Sequence, residues 1–263
     1  MPIAFWAWVV LLNNFTVELA SFTGKEIGIL QSLREVPGFL SFLVVYLLLI
    51  VAEQRLALLS LFILGVGVAI TGYFPTAFGL YITTVISSIG FHYYEACHQS
   101  LSLQWLDKKT APERMGLIYS VASMAKLLVL GAIFAAYLLN LPEISWKALA
   151  SSTGLATGLK SYELTYLFAG LVTCILALIA HILFPQFNET VRQTRKIVLR
   201  KRYWLYYGLT FISGARRQIF IVFASFLMVE KFGYSLTQIT ALFLLNAAFN
   251  VFLAPLVGKI IGR

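Results

Sequence analysis

The chain has 263 residues, 60% of them hydrophobic and 12% charged, with a formal net charge of +9 and a mean hydropathy of +0.85. A soluble domain of this size cannot hide that much apolar surface in one core and still cover itself with polar groups. Nucleic-acid binding is also excluded, because it needs an exposed basic face and most Lys and Arg here sit in short gaps between apolar runs. Cys97 and Cys174 both lie inside apolar runs, so no disulfide framework is implied. The opening "MPIAFWAWVV" lacks the basic segment of a cleaved signal peptide.

A helix needs roughly 20 apolar residues to cross a bilayer. In chain order the sequence predicts eight spans, at 2–20, 27–51, 56–74, 77–104, 115–140, 163–185, 203–229 and 237–258. A lipid-facing charge at mid-depth costs about 2.5–3.5 kcal/mol on insertion scales, so ionisable residues inside these spans are expected to face a cavity or a partner.

The first span carries Asn14 and Glu18 as an i, i+4 stripe near its outer end. The second holds "QSLREVPGFL". Arg34 and Glu35 are adjacent and point about 100° apart on a helix, which reads against their pairing with each other. Pro37 and Gly38 follow and can bend the helix around a site. For Arg34, a tie to a neighbouring helix and a role in the pathway both stay open. Gly65, Gly67 and Gly72 in the third span, Thr84 and Ser88 in the fourth, and Gly131 and Ala135 in the fifth are expected to let helices approach closely.

In the fourth span, "GFHYYEACHQS" places His92, Glu95 and Gln99 near one face, as the lining of a polar cavity in which Glu95 could carry a proton. His92, Glu95 and His98 fit a metal pattern only loosely, and no metal is expected. Lys126 in the fifth span lies about as deep as Glu95, which allows a Glu95–Lys126 ion pair. Arg216 and Arg217 lie near the midpoint of the seventh span. At least one of them should reach a central cavity, where its fork suits a carboxylate or phosphate; the alternative is a structural pairing with Glu35 or Glu95. The eighth span carries Asn246 and Asn250 on one face.

Alternate loops differ in charge. One set contains Arg55, Lys108, Lys109, Arg114, the linker Arg192–Arg202, Lys259 and Arg263; the other contains only Lys25, Lys147, Lys160 and Lys231. The positive-inside rule then places the first set, and the N-terminus, in the cytoplasm. The sequon at Asn188 falls on that side and is expected to stay unmodified.

The stretch "VELASFTGKEIGIL" from Val17 aligns without a gap on "VEKFGYSLTQITAL" from Val229. Thr23 falls on Ser235, Glu26 on Gln238, and Arg34 on Asn246. The offset equals six spans, as expected of two six-helix halves in parallel orientation. Here the chain resembles the major facilitator superfamily, whose loop motif G-x-L-A-D-R-x-G-R-R recurs after the second and eighth helices. Gly258, Ile260 and Arg263 match its first six positions, with Gly262 where the family has Asp; the loop after the second span keeps only Glu53 and Arg55.

The resemblance implies an all-α polytopic membrane protein holding about eight of twelve helices. Residues 1–186 would form a six-helix half with a shortened first helix, 187–202 a basic cytoplasmic linker, and 203–263 the first two helices of a second, pseudo-symmetric bundle. It implies a secondary transporter of the inner or plasma membrane, monomeric when full length, with the two halves rocking about a midplane cavity and Gly258 and Arg263 belonging to a gating motif. No P-loop appears, so a proton or ion gradient is the expected energy source, with Glu95 or Glu35 as proton carrier. The basic midplane residues lean toward an anionic solute. No cofactor is expected. Two rivals remain: a membrane-embedded enzyme built on His92, Glu95 and His98, for which no H-E-x-x-H is present, and a non-transporting receptor or assembly protein on a transporter fold.

Overall fold

Thr23 shows why the second helix starts where it does: its backbone N–H donates to Glu26 Oε2 at 3.0 Å, its hydroxyl bonds the same carboxylate, and it accepts from the Lys25 N–H at 3.3 Å. This reciprocal cap satisfies donors that a helix N-terminus would otherwise leave open. A computed structural model of the chain describes residues 1–107, 109–139, 161–186, 200–219 and 223–261. Among them every regular element is helical: α1 (Pro2–Ala20), α2 (Gly24–Phe39), α3 (Val44–Leu47), α4 (Glu53–Thr71), α5 (Ala77–Trp105), α6 (Ala111–Leu138), α7 (Ser161–Leu183), α8 (Trp204–Ile219), α9 (Ser225–Glu230) and α10 (Leu236–Ile261).

Six described stretches are long and apolar enough to cross a membrane: Pro2–Ala20, Gly24–Leu47, Glu53–Thr71, Ala111–Leu138, Tyr162–Leu183 and Leu236–Ile260. Eight were expected, and the two missing from this set differ for separate reasons. The fourth, α5, is 29 residues long, ample for a crossing, but its Thr, Ser, His and Glu residues dilute its apolarity. Much of that polarity is hidden: Thr83, Thr84, Ser87 and Ser88 are all buried in the bundle. The seventh is described as two pieces, α8 and α9, with a π-helical turn at Phe223 and Ala224 leading into the second. The second stretch is broken in another way. Pro37 lacks an N–H and its ring crowds the preceding turn, and the helix tightens to a 3-10 turn, Leu40–Leu43, before α3.

The repeat at an offset of 212 has a local structural counterpart. Ser21 and Gly233 are the two described residues with left-handed φ, at 53° and 65°. The following N–H groups reach back six residues, Phe22 to Thr16 O and Tyr234 to Met228 O, each at 3.0 Å. Each closes a left-handed turn at a helix C-terminus, spanning one residue more than the 6→1 bond of a Schellman motif. Both turns lead directly into a capped helix. Ser235 N–H donates to Gln238 Oε1 at 2.9 Å, and Gln238 N–H to Ser235 Oγ at 3.4 Å, matching the Thr23–Glu26 exchange.

Lipid offers little hydrophobic force between helices, so close backbone packing must hold them. α4 lies between α5 and α7. A methyl on Gly90 would meet the Leu64 backbone, one on Gly170 the Ala69 backbone, and one on Gly72 would come within 2.6 Å of Glu163 Cα. Gly65 and Gly67 are equally confined, by Cys174 and Ser87, whereas Gly131 faces open space and does not pack as expected. The outer face of α7 exposes Phe168, Ile175 and Ile182 at seven-residue spacing, a stripe suited to acyl chains. α1 is the hub, touching α4, α6, α7, α9 and α10. At its Ala20 end Asn14 donates to Tyr234 O at 3.2 Å, and Tyr162 OH to Glu18 Oε2 at 2.8 Å.

Candidate functional site

α1 separates two polar clusters. Trp6 and Trp8 are two residues apart on it, so they point about 200° apart around the axis.

On the Trp6 side, Lys126 of α6 is 94% removed from solvent, being 6% exposed. Its Nζ lies 3.5 Å from the Trp6 ring centroid and 5.5 Å from that of Phe243. It donates one hydrogen bond, to Asn246 Oδ1 of α10 at 3.2 Å. Lys126 therefore reaches across to α10 rather than to Glu95. The expected Glu95–Lys126 pair is replaced because the ammonium finds an amide oxygen and two aromatic faces, which favour a cation in a desolvated place. Asn250 sits one turn along α10 and donates to Asn246 O at 2.9 Å, so the two asparagines act together.

The same helices continue in contact toward the Ala111 end of α6. Ser120 Oγ donates to Val251 O at 2.9 Å. A Cβ on Gly116 would lie 3.0 Å from Ala254 O, and one on Gly258 2.9 Å from Pro112 O. Gly258, expected as a gating residue, is thus a contact point of an antiparallel helix crossing. A groove of roughly 650 Å³ runs beside it, lined by Met115, Tyr119, Asn250 and Val257 among others.

On the Trp8 side, Arg34 of α2 bonds Glu35 Oε1 through both Nε (3.0 Å) and Nη2 (2.7 Å). This corrects the expectation that neighbours on a helix would not pair. Both side chains are long enough to turn toward each other across about 100° of arc, and in a medium that penalises lone charges they do so. The Arg34 guanidinium carbon lies 5.9 Å from the Trp8 ring centroid, and Ser88 Oγ bonds Arg34 O. His92 of α5 fills the notch left by Gly38, where a Cβ would come within 2.7 Å of the imidazole. Two cavities of about 20 Å³ flank Arg34 and Trp8.

The remaining expected residues are dispersed. Glu95 is half-buried and Gln99 exposed on α5, and among the described residues no group of three or more His, Cys, Asp or Glu is placed to hold a metal ion. Arg216 and Arg217 belong to α8, but their side chains lie outside the described residues, as do Arg263, the linker 187–199, Asn188, Lys108, Lys147 and Lys160. Trp6, Trp8, Gln31, Phe243 and Ser225 were missed by sequence reasoning. The available signal was a pair of indoles two residues apart in the first span.

A family model described as Major Facilitator Superfamily matches residues 3–263. The chain belongs to the Major Facilitator Superfamily. Neither a curated protein nor a solved structure gives a significant match. Members of this superfamily are membrane transporters, so the two clusters are read as parts of a solute-transport protein in a lipid bilayer. In this superfamily chain the clusters have different characters: the Lys126 cluster joins helices distant in sequence, α6 and α10, while the Arg34 cluster binds α2 to α1 and α5.

Proposed function

We propose that this Major Facilitator Superfamily chain is a secondary active transporter that moves a small anionic solute by alternating access, coupled to a proton gradient. Residues 1–186 and 203–263 belong to two halves joined by the basic segment 187–202. The solute passes between them near mid-depth. The positive-inside distribution of Lys and Arg supports a plasma-membrane protein with a cytoplasmic N-terminus.

One observation carries this reading. Lys126 of α6 is buried with a single hydrogen bond, and that bond goes to Asn246 of α10. An ammonium has three donors, and burying one without an anionic partner is costly. A structural lysine would be expected to have a carboxylate; a lysine in a pathway is completed by an anion that comes and goes. As the halves rock, the Lys126–Asn246 contact breaks and re-forms on either side of the bound solute.

The test is flux. The chain is reconstituted in liposomes with an imposed pH gradient, and uptake is followed for pooled organic anions, neutral solutes and organic cations. Gradient-dependent accumulation of an anion, lost in Lys126→Gln, is the expected result. Accumulation confined to cations, or no flux under any gradient, would remove the reading.

A further inference from the structure

The seam between α6 and α10 holds a charge at one end and an apolar trough along the next stretch. The groove of roughly 650 Å³ beside it is lined by Met115 and Tyr119 of α6 and by Asn250, Leu253 and Val257 of α10, with Ala, Gly and Pro making up the rest. Asn250 and the Tyr119 hydroxyl are the polar side-chain groups on its walls. Helical geometry ties this groove to Lys126. On α6, Met115, Tyr119 and Lys126 fall within about 40° of arc at 100° per residue. On α10, Asn246, Asn250, Leu253 and Val257 fall within about 60°. At 1.5 Å per residue, Tyr119 lies about 10 Å along the axis from Lys126 and Met115 about 16 Å. A chain of hydrogen bonds closes the gap: Asn250, on the groove wall, donates to Asn246 O at 2.9 Å, and Asn246 Oδ1 accepts from Lys126 at 3.2 Å. The groove end of the seam carries Arg114 and Lys259 against Glu113, a net positive charge that draws anions. The other side of α1 offers far less room. Trp8 Nε1, Gln31 Oε1 and Thr84 Oγ1 are buried there without a partner among the described residues, but the two cavities they border are about 20 Å³ each, space for about one water.

We infer that the solute is an amphiphilic organic anion, whose single charged head meets Lys126 while its apolar body lies in the groove along Tyr119, Met115, Leu253 and Val257. The inference rests on the transport reading above and names its solute class. The two ends of the seam make different demands. At Lys126 the ammonium has an amide oxygen and the ring faces of Trp6 and Phe243, and an anionic head supplies the charge that none of these carries. Below it, a small hydrophilic anion would shed its water against walls that offer one amide and one phenol, which is costly. An apolar body loses nothing there and gains from the same walls, by about fourfold in affinity for each methylene taken out of water. A pocket of this kind, mostly apolar with a few placed polar groups, fixes the orientation of its ligand through those groups. The body therefore points toward Arg114 and Lys259 and the head toward Lys126.

The test is protection of a thiol placed in the groove. The full chain carrying Val257→Cys is reconstituted in liposomes and labelled with a membrane-permeant maleimide. Val257 is half-exposed, whereas the native Cys97 and Cys174 are buried. Straight-chain monocarboxylates from acetate to octanoate compete with the label, and the amide of each is the uncharged control. The half-protecting concentration should fall about fourfold per added methylene. At equal length the carboxylate should protect at a concentration about tenfold or more below that of its amide. Adding Lys126→Gln should bring acid and amide together. Ile175→Cys, on the outer stripe of α7, reports partition into the bilayer and should show no preference for the acid. Failure of Val257→Cys to label would mean that the groove faces acyl chains, and it would overturn the inference. So would equal protection by acetate and octanoate, equal protection by acid and amide, or the same preference for the acid at Ile175→Cys. The Val257→Cys and Ile175→Cys data decide the matter even where Lys126→Gln fails to fold. Flux above that of protein-free liposomes separates the two proposals. Accumulation of short hydrophilic anions with no gain from chain length removes this inference and leaves transport, whereas acid-selective protection without flux removes transport and leaves the groove as a binding site.

Discussion

Lys126 and Arg34 are both cations near mid-depth, yet their surroundings make opposite demands on the chain. Arg34 has a formal counter-ion in Glu35; Lys126 has an amide oxygen and two ring faces. Replacing a buried, poorly paired charge by an apolar side chain of similar volume is often neutral or stabilising. Lys126→Met should therefore leave the melting temperature in detergent unchanged or higher while cutting flux at least about tenfold. A fall in melting temperature with flux preserved would make Lys126 a packing residue. The two αL positions give a second pair of opposite signs. Ser21→Gly removes the Cβ strain of a left-handed residue, and Gly233→Ala introduces it, so the first should stabilise and the second destabilise, by about 1 kcal/mol. Equilibrium unfolding of each variant measures this.

Among the elements, α6 and α10 form the longest described seam between distant parts of the chain. Its register is fixed by Gly116 against Ala254 and Gly258, by Ser120 against Val251, and by Lys126 against Asn246. A double variant, Ser120→Cys with Val251→Cys, should cross-link readily under oxidation, and the cross-link should stop flux until it is reduced. Adding Gly116→Leu to that pair drives a branched side chain into the Ala254 carbonyl and should abolish cross-linking while leaving the α4–α5–α7 packing intact. Unimpeded flux through the cross-linked seam would mean that these helices do not move against each other.

For the molecule as a whole, the proposed coupling to a proton gradient makes a prediction about energetics. If one proton enters with each singly charged anion, no net charge crosses the membrane. Uptake should then rise with an inward proton gradient, collapse with a protonophore, and stay the same when a potassium diffusion potential of either sign is imposed. Uptake driven by the potential alone would show that charge moves uncompensated.

Much of this molecule was legible as a line of residues. Six of the eight expected spans, the loop charge and the repeat at 212 follow from composition and order, since a bilayer imposes a length on each crossing and a repeated turn keeps its Ser or Thr cap. Polar residues at mid-depth were equally visible, because lipid penalises them wherever they point. Their partners were not. Arg34 chose the neighbour that helical geometry seemed to deny it, Lys126 passed over Glu95 for Asn246, and Trp8, Gln31 and Thr84 gained meaning only as unpartnered groups around one guanidinium. Depth is a property of one helix and can be read along it. Azimuth and reach are settled by which helices pack together, and only the tertiary structure decides that.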